Sequence, residues 1–487
     1  MLLQPALAAL ADDPPPLNNG NQAWMLASAA LVLLMTPGLA FFYGGMVRRK
    51  TVINMLMMSF TAMGTVGIVY VLWGYSMAFS PDNLAGGLFA NPFTNFGLKG
   101  LFPEFLGADG AETVSNSFIP AAGVTALTFV AFQLTFAIIT VALVSGSVAD
   151  RMKYSTWVVF SIIWVTIVYF PLSHMVWGGG FLSNADGGLA SMLFGNGADG
   201  LAAVAPKDFA GGTVVHIDAG IAGIMLALML GKRRGYGRDP MRPHSVPFVM
   251  LGAGLLWFGW FGFNAGSEGA ADGIAGLAWI NTSTATSTAL VGWLLVEKLL
   301  HKKATGLGAA SGAVAGLVAI TPACAFVSPV GSIFIGLITG AVCAWAIGLK
   351  NRFGLDDALD VGGVHLVGGF MGTILIGFFS ISNASLSWGE GDDPSGIFYG
   401  GGPQQLVVQL LVAVFAILFS GVLTLVIALI LKSTMGLRVS AEVEDDGDTA
   451  MHGESAYDFE GGGGVGTSGV LAGVMAREEK EAEESNA

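Results

Sequence analysis

Apolar positions in this chain fall in long continuous blocks, with neither the period of two of a half-buried strand nor the narrow stripe of a surface helix. Leu26 to Leu34, Ser155 to Phe170, Gly220 to Leu230 and Leu406 to Leu431 contain no charged residue. Each is, or lies within, a stretch near the roughly 20 residues that cross a bilayer core as helix. Hydropathy predicts about eleven such spans, centred near Met35, Val66, Ala131, Val165, Ala222, Leu256, Ala285, Ala315, Ile335, Met371 and Ile417. The longer loops between them, Ser80 to Ile119 and Phe181 to Lys207, are rich in Gly, Asn and Asp and read as surface segments.

Basic residues orient these spans. Arg48 to Lys50, Arg151 and Lys153, the group from Lys232 to Arg242, Lys298 to Lys303, Lys350 and Arg352, and Lys432 and Arg438 occupy alternate connections, with only Lys99 and Lys207 opposite. The positive-inside rule then places the N-terminus outside and the C-terminus in the cytoplasm, which requires an odd number of spans.

Composition agrees: 53% of the 487 residues are hydrophobic and 11% charged, against about 25% charged in soluble domains. The fold class is an all-α polytopic membrane protein. Its 71 glycines suit close helix packing, as in the GxxxG patterns Gly312 to Gly316 and Gly336 to Gly340. Cys324 and Cys343 lie in apolar surroundings and read as packing residues. Residues 1–22 form an outer segment in which Ala9-Leu10-Ala11 is a weak cleavage signal without a basic leader. Residues 23–433 form the membrane domain, 434–460 a cytoplasmic segment and 461–487 an acidic tail expected to be disordered. From Ala441 onward 13 acids face two bases, so this end carries −11 of the net −13. That balance argues against nucleic acid as a partner.

Ionisable residues inside membrane spans are costly and point to function. His216 lies eight residues after Asp208, about 12 Å deeper along a helix. His365 follows a Gly-Gly pair and an acid, Asp360, five spans later, entering from the opposite side. Two inverted five-helix repeats plus one extra helix produce that relation, with a site near the midplane at their interface. A buried histidine also serves simply to hydrogen-bond a neighbouring helix; a metal site is a further alternative, although HExxH and any compact ligand cluster are absent from the sequence. His174 reads as structural, and His244, His301 and His452 lie in connections or the tail. Phe132 and Phe136 share a helical face, while Trp177, Trp257, Trp260, Phe261, Phe263 and Ser267 gather near outer helix ends. Interfacial aromatic belts explain part of this pattern, and a cation-attracting cup of ring faces and a hydroxyl is the functional alternative. Asp218 is placed about 200° round the helix from His216, towards a neighbouring helix or a subunit interface. Glu268, directly after Ser267, is expected to add negative potential at the outer mouth.

The motifs DFAGGTVVHI (Asp208 to Ile217), DVGGVH (Asp360 to His365), PLSHMVWGGG (Pro171 to Gly180), LLWFGWFGFNAGS (Leu255 to Ser267) and PGLAFFYGGMVRRK (Pro37 to Lys50) resemble, in order, those of ammonium transporters of the Amt/Mep/Rh superfamily, in its Amt branch. The resemblance implies a non-enzymatic, cofactor-free and metal-free homotrimer in the plasma membrane, conducting ammonium or ammonia through each protomer. It implies an outer binding site of Trp177, Phe136 and Ser267 supported by Asp208, a phenyl gate of Phe136 and Phe263, and twin histidines His216 and His365. Phe132, Trp260, Phe42 and Tyr43 are implied as further pore-lining residues. The segment Gly436 to Tyr457 resembles the family's regulatory C-terminus, which implies a PII-type signalling partner at the cytoplasmic face; the interval from Gly447 to His452 is one residue shorter than the family pattern. Asp218 departs from the neutral residue usual at its position. The alternatives are an ammonium sensor signalling through the tail and a membrane enzyme or metal protein built on the histidines.

Taking a small cation intact into hydrocarbon costs on the order of 20 kcal/mol by Born arithmetic. Removing a proton at neutral pH from an acid of pKa about 9 costs roughly 3 kcal/mol. Separation of proton from ammonia is the less costly route, and linked imidazoles suit the proton.

Overall fold

The computed structural model describes residues 16–101, 117–119, 122–382 and 395–457. The cleavage signal at Ala9 to Ala11, the middle of the first long loop and the acidic extension from residue 458 lie outside the described residues.

Among the described residues, eleven helices of 15 or more residues carry the chain: α1 (Asn19–Met46), α2 (Arg49–Phe79), α3 (Ala126–Val148), α4 (Tyr154–Val176), α5 (Gly212–Leu230), α6 (Val246–Gly266), α7 (Gly273–His301), α8 (Gly306–Ile320), α9 (Pro329–Phe353), α10 (Gly362–Phe379) and α11 (Gln404–Thr434). Each expected span centre falls inside one of them. Nine, among the described residues, are long and apolar enough to cross a membrane. The other two fall short for different reasons. α7 has 29 residues but a run of Asn, Ser and Thr from Asn281 to Thr288; Thr282, Thr284, Thr286, Ser287 and Thr288 satisfy their hydroxyls on carbonyls one turn back. α8 has only 15 residues, about 22 Å of helix.

Small residues decide how closely these helices cross. Both GxxxG patterns close on α7: a Cβ on Gly316 would stand 2.6 Å from the Ala289 side chain, and one on Gly340 would press on the Ala289 carbonyl and stand 2.6 Å from its Cα. The crossing of α5 with α10 is as close. Gly220, four residues after His216, lies against the backbone of Leu366; Gly369, four residues after His365, lies against Gly212 O and His216 Cβ at 2.8 and 2.9 Å from its notional Cβ. The relation is reciprocal, as a local two-fold between the two helices requires.

The basic connections gather on one side of the bundle. Asp150, held at φ 70°, accepts from Arg48 at 3.1 Å and Arg233 at 3.2 Å and bonds Thr51. Arg233 also grips Asp356, the shortest contact 2.8 Å. Arg151 is buried and donates to the carbonyls of Gly231, Ala149 and Asp356; burial lowers its guanidinium to about 10, so it remains cationic near neutral pH.

Beneath this layer dock two short helices, α12 (Ala441–Asp446) and α13 (Asp448–His452). Glu444 accepts from Arg234 N at 2.7 Å and pairs with Arg438 at 2.7 Å. Asp448 accepts from Ile53 N and Asn54 N at 2.8 and 2.9 Å, capping the start of α2. His452 reaches Asn54 Oδ1 at 3.1 Å, and His244 reaches the Tyr457 hydroxyl at 2.9 Å. His174 is buried with Nδ1 3.0 Å from Ala78 O, a structural contact.

Gly220→Ala places a methyl against Leu366 backbone that has no room to yield. We expect a loss of about 1–3 kcal/mol, read as lowered resistance of the purified protein to thermal or detergent unfolding.

Candidate functional site

Two helix starts build the centre of the molecule. α5 and α10 each open with a π-helical turn, Gly212–Ile217 and Gly362–Leu366, and each turn carries a histidine near its end. Such turns are rare and widen the helix locally. Each is held by an aspartate eight residues before the histidine. Asp208 accepts from the N–H groups of Gly211, Gly212, Thr213 and Val214 at 2.6–3.2 Å. Asp357 accepts from Val361 N and Gly362 N at 3.2 and 2.8 Å and from the Ser147 hydroxyl at 2.7 Å.

The carboxylate that accepts from the α10 turn is therefore Asp357 and not Asp360, the acid nearest before the Gly-Gly pair. Asp360 stands at φ 63° and forms an ion pair with Lys350 at 2.6 Å. The common spacing of eight, Asp208 to His216 and Asp357 to His365, is present in the sequence; Asp360 stands nearer the Gly-Gly pair but only five residues before its histidine. Burial holds the Asp208 carboxyl above the usual carboxylate range, against the opposing pull of its four N–H donors.

The glycine crossing then brings the imidazoles edge to edge, Nδ1 to Nδ1 at 3.3 Å, with ring centroids 5.4 Å apart. One nitrogen donates and the other accepts, so in the neutral pair the two rings hold complementary tautomers. The His216 ring stacks on Trp260 at 5.5 Å, and the Trp260 indole N–H is fixed by the Thr321 hydroxyl at 2.8 Å.

Three cavities lie in succession along this axis. The outer one is lined by Phe132, Phe136, Trp177, Phe209, Gln133 and Ser267, among others. Phe136 stacks on Phe263 at 4.1 Å and 18°, and meets Trp177 edge-on at 6.0 Å and Phe132 at 4.8 Å. The Trp177 N–H is committed to Asp208 O at 2.9 Å, and the Ser267 hydroxyl donates to Phe263 O at 2.7 Å. What these two residues offer the cavity is therefore a ring face and hydroxyl lone pairs, both suited to a cation that donates hydrogen bonds. Beyond the Phe136–Phe263 stack, a second cavity is walled by Phe263, His216, His365, Trp260 and aliphatic side chains including Leu143 and Val215. His365 also lines the third, with Phe42, Tyr43, Trp293, Glu297, Ser311 and Asp360. Tyr43 donates to Leu143 O at 3.1 Å. Trp257 and Phe261, by contrast, line none of these three cavities; Phe261 stacks on Trp279 at 4.0 Å.

Two further acids, Asp218 and Glu268, lie outside the linings of these cavities. Asp218 is fully buried beside Ser420 of α11, and neither carboxyl oxygen reaches full hydrogen-bonding geometry with a partner among the described residues. It faces a neighbouring helix, away from the cavities. Glu268 does not project into the mouth: it is 4% exposed and lies behind the wall that Ser267 and Gly269 present to the outer cavity. Among the described residues no group of three or more His, Cys, Asp or Glu is arranged to hold a metal ion.

A multi-span helical bundle with a buried pair of imidazoles between successive cavities has the architecture of a membrane transporter or channel. Comparison places it further: the Ammonium Transporter Family profile matches residues 23–457, and the chain belongs to that family. It is 53% identical to an ammonium transporter of Mycobacterium tuberculosis (strain ATCC 25618 / H37Rv) over 444 residues, 90% of each chain. It is similar in fold to the crystal structure of Saccharomyces cerevisiae Mep2, with TM-score 0.73, 29% identity, and 93% of this chain and 94% of that one covered. A structure described as a sensor Amt protein matches with TM-score 0.74 at 28% identity, covering 88% and 97%.

Asp208→Ala removes the acceptor of four N–H groups at once. We expect a loss of about 2–3 kcal/mol of stability, with Asp208→Asn losing less, measured by unfolding of the purified protein.

Proposed function

We propose that the protein takes up ammonium across the plasma membrane, with eleven spans, the N-terminus outside and the tail in the cytoplasm. The carrying observation is the paired imidazoles at 3.3 Å, lining an apolar cavity shut from the outer one by two stacked rings. Ammonium rests first in the outer cavity, against the faces of Trp177 and Phe136 and the lone pairs of Ser267, with Asp208 stabilising positive charge nearby. The stacked rings of Phe136 and Phe263 leave no polar partner for a hydrated ion, so the species that passes them is the neutral amine. The proton it leaves behind travels by His216 and His365, whose shared hydrogen bond permits a proton to enter at one ring and leave from the other. Ammonia regains a proton in the inner cavity, where Asp360 and Glu297 favour the cation.

The functional unit we propose is a homotrimer, and the docked segment from Gly436 to Tyr457 offers a PII-type signalling protein its surface. A sensing role is the second reading, motivated by the same docked tail and the likeness to a sensor Amt protein. Removal of Glu442 to Ala487 separates the two: a transporter keeps conducting, and a sensor loses signalling while retaining binding.

Reconstituted protein given an inward ammonium gradient should produce current or an internal pH change above that of empty liposomes. His216→Ala should lower the charge movement on the order of a hundredfold or lose selectivity for ammonium over potassium. Unchanged electrogenic transport with unchanged selectivity would remove the histidine relay.

A further inference from the structure

Glu268 is an acid that the mechanism above does not use. It is 4% exposed, forms no ion pair among the described residues, and leaves Oε1 without a hydrogen-bond partner. Its neighbours in sequence, Ser267 and Gly269, both line the outer cavity. Among the described residues, the titratable groups that interact electrostatically with the carboxyl are Asp272, at the start of α7, and the Cys324 thiol of the 321–327 connection. Asp272 is already engaged as the N-cap of α7, accepting from Ile274 and Ala275. The same connection supports the far wall of the cavity: Phe209 donates its N–H to Pro322 O at 3.1 Å, and its ring meets Phe326 at 5.7 Å.

A charge placed behind such a wall acts across packed protein, with little water to screen it. We propose that Glu268 sets the cation affinity of the outer cavity electrostatically, without touching the cation: ionised, it strengthens binding of a monovalent ammonium-type cation, and protonated, it weakens it. Burial raises its carboxyl to about 7, with Asp272 adding to the rise. The group is therefore neutral below that pH and charged above it, and cation binding should tighten as the outer pH rises from 6 to 8. Occupation of the cavity in turn favours loss of the Glu268 proton, since the coupling is reciprocal.

The inference rests on the uptake reading, and its test is built to fail separately. Methylammonium is the probe, because an alkylammonium of pKa about 10 stays charged from pH 6 to 8. In liposomes with the inner pH fixed, wild type should show a half-saturation concentration about threefold to tenfold lower at outer pH 8 than at 6. Glu268→Gln should hold it near the pH 6 value throughout, with the maximal rate unchanged, while Glu268→Asp keeps a pH dependence. A Glu268→Gln profile parallel to wild type overturns the inference. Thermal stabilisation of the purified protein by methylammonium at the two pH values reads binding alone. Absence of transport in wild type defeats the uptake reading, and the thermal comparison still decides Glu268: equal shifts at pH 6 and 8 in wild type, or the same pH difference in Glu268→Gln, overturn it. Should the Gln variant not fold, a wild-type half-saturation concentration and thermal shift that are both the same at pH 6 and 8 overturn it as well.

Discussion

The crossing of α5 over α10 is the constraint on which the rest depends. Gly220 and Gly369 let each backbone enter the space beside the other helix's histidine, and only at that separation do His216 and His365 share a hydrogen bond. The neighbours follow from it. Trp260 stacks on one imidazole, Phe263 continues from Trp260 to Phe136, and Phe136 reaches the outer cavity. A wider crossing would leave two buried imidazoles without partners, each at a cost of about 1–3 kcal/mol.

Polar groups inside the bundle are handled by reciprocity rather than by solvent. The π-turns leave backbone N–H groups that need acceptors at the helix starts, and Asp208 and Asp357 provide them from equal distances along the chain. On the opposite side from Asp208, buried Asp150, Arg233, Asp356 and Arg151 satisfy one another and the ends of several helices. The tail joins that layer through Glu444 and Asp448 rather than lying free. A change in the tail therefore reaches α2 and the residue 233–234 connection directly through hydrogen bonds.

Much of this was legible in the residues. Each span centre falls in a helix, because an uninterrupted apolar run near twenty residues has few other stable outcomes. The aromatic and histidine positions were legible as well, since such residues are conspicuous in an aliphatic background. Three points were not. The acid that supports His365 is Asp357, because Asp360 takes a positive φ and turns to Lys350. Glu268 lies behind the cavity wall instead of in its mouth, as the direction of a side chain at a helix end depends on what packs there. α8 reaches only 15 residues, since helix length is set by where the following chain must turn.

The sequence by itself determined the membrane class, the family, the two histidines, the aromatic set and the alternation of basic connections. These properties follow from local composition and spacing, which solvent and lipid read segment by segment. The tertiary structure decided which acid caps which turn, that Phe136 and Phe263 stack while Phe261 turns to Trp279, and where Asp218 and Glu268 point. Those outcomes depend on contacts between different helices and connections, or on a side chain's choice between two neighbours of similar polarity. No single segment contains the energy difference that settles them.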